Sequence, residues 1–65
     1  MTEKELQYKV IILDLLIAID KDIIDWRNHT HLWDAIRAAD VALDLWAGDN
    51  LEQIRNETHQ QYLNQ

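Results

Sequence analysis

Residues 6–26 read LQYKVIILDLLIAIDKDIIDW, and this stretch decides the fold. It contains neither Pro nor Gly, so nothing in it stops a helix. Wound as an α-helix, its apolar side chains fall into two stripes. Tyr8, Ile12, Leu15, Ile19, Ile23 and Trp26 form one; Leu6, Val10, Leu13, Ile17 and Ile24 form the other, nearly opposite. Asp14, Lys21 and Asp25 occupy one narrow polar strip between them, and Lys9, Asp20 and Arg27 the second. A helix that is apolar on two sides needs neighbours on both, which makes this the central element.

Working outward, Thr2 followed by Glu5 has the spacing of a capping box and opens the helix near Glu3. No breaker follows until Arg27-Asn28-His29-Thr30, so the first helix is predicted over 3–27, about 36 Å of rise. Asn28 or Thr30 can cap a second helix, predicted over 31–47 and closed by Gly48 in the left-handed conformation. Its inward face holds Leu32, Ala35, Ile36, Ala39, Ala42, Leu43 and Trp46, and its outward face Asp34, Arg37, Asp40 and Asp44. Ala35, Ala38, Ala39 and Ala42 would admit a close helix neighbour, while Trp33, Val41 and Leu45 sit off the main stripe. Asp49 followed by Glu52 opens a third helix, predicted over 50–63, whose large apolar groups are Leu51, Ile54, Tyr62 and Leu63.

Apolar surface is unevenly shared among the three. A short hairpin and a weak third helix offer too little to cover both stripes of the first. The expected fold is therefore a single all-α domain, a small helical bundle: long helix 1, a hairpin with helix 2, a weaker helix 3. Homodimerisation through Tyr8, Ile12, Leu15, Ile19, Ile23 and Trp26 would complete it. The alternative is a monomeric three-helix bundle in which the third helix covers the second stripe.

Composition bounds the function. A chain of 65 residues buries only about 60% of its unfolded surface, and with no Cys it has neither disulfide nor thiolate metal site to reinforce it. An apolar content of 48% is too high for intrinsic disorder, and a single Gly with no Pro argues against β-turn chemistry. Twelve acidic against six basic residues give a net charge of −6, which repels phosphate backbones and disfavours direct nucleic-acid binding. The same charge suits a basic protein partner, or solubility alone. The apolar run Val10–Ile19 contains Asp14 and is half the length of a membrane span, and the acidic start Thr2-Glu3-Lys4-Glu5 does not resemble a secretory signal. The expectation is a cytoplasmic protein, in which the sequons at Asn28 and Asn56 are chance matches.

Chemistry-bearing motifs are sparse. His29 and His31 flank Thr30 with Asp34 one turn on, a possible transition-metal pair lacking a fourth nearby ligand. Asp22 and Asp25 with Asp40 and Asp44 have the spacing by which all-helical nucleotide hydrolases hold magnesium, yet no basic pair is aimed at a phosphate. A solvated helix face explains them more simply. With no Ser and no Cys, and with Thr2, Thr30 and Thr58 at or near helix ends or on weakly apolar faces, nucleophilic catalysis has no support. Neither cofactor nor metal is expected. Of three Trp, Trp26 and Trp46 align with core stripes, whereas Trp33 points away beside acidic neighbours. These features predict a non-catalytic acidic interaction module, an inhibitor or adaptor of a basic protein, with Trp33 as anchor and Asp34, Asp40 and Asp44 as charges. Small inhibitors from phages and mobile elements provide an analogy of size and charge alone. A metal-dependent all-α nucleotide hydrolase and a purely structural oligomer are the other readings.

Overall fold

The computed structural model describes residues 2–46 and 48–65. Among these residues the regular elements are all helical: α1 (Glu3–Asp22), a 3-10 turn (Trp26–Asn28), α2 (Thr30–Ala42) and α3 (Leu51–Leu63). Thr2 caps α1 as its sequence predicts, its hydroxyl oxygen accepting the Glu5 N–H at 3.2 Å. Glu3 and Glu5 in the first turn and Lys21 in the last complement the helix dipole.

α1 stops at Asp22, five residues short of the predicted 3–27. Carboxylates at Asp20, Asp22 and Asp25 oppose the dipole at a helix C-terminus, and Ile23-Ile24 is a β-branched pair. The reversal is also what brings Trp26 back over α1: its indole N–H donates to Asp20 Oδ1 at 3.1 Å, and its ring is buried against Leu16 and Ile36. Burial of one large ring outweighs another turn of helix. Ile24, placed by its periodicity in the second stripe, is consequently left 83% exposed in the turn.

α2 starts at Thr30, with His29 in the cap position and no side-chain capping bond from either predicted residue. It ends at Ala42 rather than 47. The Leu45 N–H reaches back to the Asp40 carbonyl at 2.8 Å and the Asp44 N–H to the Val41 carbonyl at 3.2 Å, the two bonds of a Schellman closure. Asp44 (φ 56°) holds the left-handed position that Gly48 was expected to hold. Gly48 (φ 89°) turns the following loop instead, and Ala47 lies outside the described residues. α3 is capped by Asn50, which accepts the Gln53 N–H at 3.1 Å. Asp49, the predicted cap, closes the loop by accepting the Trp46 N–H at 2.8 Å.

α1 packs along α3 rather than forming its main contact with α2. Its covered face is Leu6, Val10 and Leu13, most of the second stripe. The ion pairs Asp14–Arg55 (2.9 Å) and Lys21–Glu52 (2.8 Å) fix the two helices antiparallel. Thr58, buried on α3, satisfies its hydroxyl by donating to the Ile54 carbonyl at 2.8 Å. Leu16, Trp26 and Ile36 form a second cluster that joins α2 and the 3-10 turn to α1, with Ile12, Ile19, Ile23, Leu32 and Leu45 around it. Ala35, Ala38 and Ala42 receive no helix neighbour and stay exposed. The result is elongated, 39 × 18 × 17 Å. Its radius of gyration of 12.2 Å exceeds the roughly 10.7 Å of a compact chain this long.

Candidate tryptophan groove

A groove of about 900 Å³ opens between the C-terminal half of α1, the 3-10 turn, α2 and the loop leading into α3. Its apolar lining is Leu16, Ile17, Trp26, Trp33, Ile36, Val41, Leu45, Trp46 and Leu51. Its charged rim is Asp20, Lys21, Arg27, Arg37, Asp40, Asp44, Asp49 and Glu52. All three Trp of the chain converge here.

The aromatic part is built by local contacts. Trp26 and Trp33 stack in an offset arrangement, centroids 5.8 Å apart and planes 27° from parallel. The Arg27 guanidinium sits 4.4 Å from the Trp26 centroid, and that of Arg37 5.7 Å from Trp33. Each guanidinium is thus held on an electron-rich ring face. Trp46 is 79% exposed, because α2 ends before it and the loop carries it out of the stripe where its periodicity placed it.

The rim charges divide into satisfied and free. Lys21 is paired with Glu52, and the hydrogen bond between them, followed by their mutual charge, raises the lysine pKa and lowers that of the glutamate. Asp20 accepts from Trp26 and Asp49 from Trp46. Asp40 and Asp44 make no side-chain hydrogen bond or ion pair among the described residues. The cations of the groove are therefore engaged, while two of its carboxylates are open to an incoming charge.

Of the four residues expected to bind a partner, Trp33, Asp40 and Asp44 line this groove and Asp34 does not. Val41 and Leu45 were placed off the main stripe but not assigned to a site, Trp46 was assigned to the core because the helix was drawn to residue 47, and Asp49 was read only as a helix cap. The stretch Asp44 to Asn50, with Asp44, Gly48, Asp49 and Asn50, did carry the composition of a loop. The expected self-association stripe is divided: Ile12, Ile19, Ile23 and Trp26 turn into the intrachain cluster, whereas Tyr8 and Leu15 remain exposed.

The histidine and aspartate groups weighed and set aside in the sequence are placed as follows. His29 Nε2 lies 3.4 Å from Asp25 Oδ2. Among the described residues no three His, Cys, Asp or Glu side chains gather where a metal could bind, so neither His29, His31 and Asp34 nor Asp22, Asp25, Asp40 and Asp44 form such a group. No helix among them is long and apolar enough to cross a membrane. Compared with known proteins, the chain has no significant match to a family model, a curated protein or a solved structure.

Proposed function

We propose that the chain is a non-catalytic interaction module whose tryptophan groove receives a basic, apolar-anchored segment of a protein partner. The observation that carries this reading is the pairing of an apolar floor with the unpartnered carboxylates of Asp40 and Asp44, beside cations already held on Trp26, Trp33 and Glu52. An amphipathic helix laid in such a groove would place apolar anchors on Trp33 and Trp46 and its Lys or Arg against the two aspartates. Buried aromatic anchors dominate interface energies, and close charge pairs contribute about 1.5 kcal/mol or more when desolvated.

The test uses a synthetic amphipathic peptide of Leu and Lys, titrated calorimetrically at several salt concentrations. Asp40→Asn with Asp44→Asn removes both free charges, and Asn tolerates the left-handed backbone at position 44. Expected is a clear loss of affinity with this variant and with Trp46→Ala, and an affinity that falls less steeply with salt in the double Asn variant than in the unmodified chain. Asp34→Asn, the same charge change outside the groove, should leave binding intact. Equal effects of Asp34→Asn and the groove variants would reduce the acidic rim to a non-specific field and overturn the assignment.

A further inference from the structure

α1 presents a third apolar line that neither α3 nor the groove uses. Tyr8, Ile11, Leu15 and Ala18 are all exposed and follow one another at alternating spacings of three and four. Lys4 and Asp22 continue the same rhythm at the two ends. At about 3.6 residues per turn the six share one side of α1, roughly opposite the fully buried Leu13. This is the seam pattern of a two-helix coiled coil with one helix missing.

We infer that this seam is closed by α1 of a second copy of the chain, antiparallel, about a two-fold axis at the level of residue 13. In that register Tyr8 faces Ala18 of the second copy, Ile11 faces Leu15, and Lys4 faces Asp22, with each pair repeated by symmetry. The largest side chain meets the smallest, which lets the axes approach, and each terminal cation meets a carboxylate. Lys4 and Asp22 make no side-chain hydrogen bond or ion pair among the described residues, so both are available. A parallel pairing would set Lys4 on Lys4 and Asp22 on Asp22, like charges in contact, and Tyr8 on Tyr8. Antiparallel helices also oppose their dipoles.

Area agrees with this occupant. The chain exposes 4996 Å², where a folded monomer of its mass exposes about 4,300 Å². That excess, about 700 Å² per copy, is shared between the seam and the open groove, so the seam has exposed apolar surface for a second copy to cover. Only Tyr8 and Leu15 of the stripe expected to self-associate belong to this seam; Ile11 and Ala18 replace its core-facing members.

The absence of cysteine makes a direct test possible. Tyr8→Cys combined with Ala18→Cys places two thiols about 15 Å apart along one helix, too far to join within a chain. Under mild oxidation the double variant should give a doubly linked dimer, whereas each single variant should give none. Efficient cross-linking of the Tyr8→Cys variant alone would indicate a parallel pair and overturn the register. Independently, sedimentation of the unmodified chain should show a dimer, and Ile11→Lys with Leu15→Lys, both at exposed sites, should give a monomer of unchanged helix content. A monomeric unmodified chain, or a dimer that survives the two lysines, would remove the seam as the interface.

Discussion

Trp26 is the residue on which the joint between the two halves of the chain rests, and its replacement is the sharpest test of the fold. It is 8% exposed and touches α1 through Leu16 and α2 through Ile36. An indole buries roughly 200 Å², worth up to about 5 kcal/mol at ~25 cal/mol/Å². Trp→Ala changes in cores cost about 3–5 kcal/mol. A chain of 65 residues has roughly 3–10 kcal/mol of total stability, so Trp26→Ala should remove from about a third to all of it. Trp26→Phe keeps most of the ring and loses the hydrogen bond to Asp20, a contribution of about 0.5–1.5 kcal/mol.

Urea unfolding followed by circular dichroism, at one fixed protein concentration because association shifts apparent stability, measures both variants. Asp20→Ala completes a double-mutant cycle with Trp26→Phe and isolates the hydrogen bond. The expected order of cost is Trp26→Ala well above Trp26→Phe, with Asp20→Ala smallest. A loss of about 1 kcal/mol or less for Trp26→Ala would refute the role of the Leu16–Trp26–Ile36 cluster as the joint. Equal losses for Trp26→Ala and Asp20→Ala would assign the stabilisation to the hydrogen bond instead of to burial.

Leu13 is fully buried on the α1 face that α3 covers, so Leu13→Ala should cost about 2–5 kcal/mol, read as a lowered urea midpoint. Asp44 holds a left-handed conformation that glycine adopts without strain; Asp44→Gly should leave stability unchanged or raise it by up to about 1 kcal/mol in the same assay. The exposed Lys21–Glu52 pair makes a small contribution to the pH response. The lowered Glu52 pKa contributes stability that is present above the ordinary glutamate value of 4.5 and lost as pH falls through the folded-state value. The raised Lys21 pKa contributes stability present below 10.5 and lost as pH rises through its folded-state value. Thermal melts should therefore be nearly flat between pH 7 and pH 5, with losses outside the two limits that Lys21→Met removes.

Periodicity and capping made the helices legible but left their ends in error wherever a tertiary contact decided them. Thr2 and Glu5 act locally, and the start of α1 follows from them. The end of α1 depends on Trp26 finding Leu16 and Ile36, the latter on another helix, which no local pattern announces. The end of α2 was hidden because its left-handed residue is Asp44, a residue type that takes that conformation far less often than glycine. That single displacement also decided how much of the groove could be foreseen. Trp33 and Asp40 lie within the helix as drawn and were recognisable on its polar side; Trp46 lies beyond its true end and was assigned to the core. Likewise Ile11 and Ala18 gained their significance only once α3 and α2 had taken the other sides of α1.

The groove and the seam draw on different sides of the same helix, so the two proposals can fail separately. α1 lends Leu16, Ile17, Asp20 and Lys21 to the groove, and Tyr8, Ile11, Leu15 and Ala18 to the seam, with no residue in common. Neither set includes Leu13, which is fully buried on the opposite side of α1 from the seam. Sites with no shared partner combine additively to within about 0.5 kcal/mol. Ile11→Lys with Leu15→Lys should consequently abolish the dimer while leaving peptide affinity within about twofold of the unmodified chain. Asp40→Asn with Asp44→Asn should do the reverse. If the monomeric variant also loses the peptide, the groove requires the second copy, and the partner site is a property of the dimer and not of the single chain.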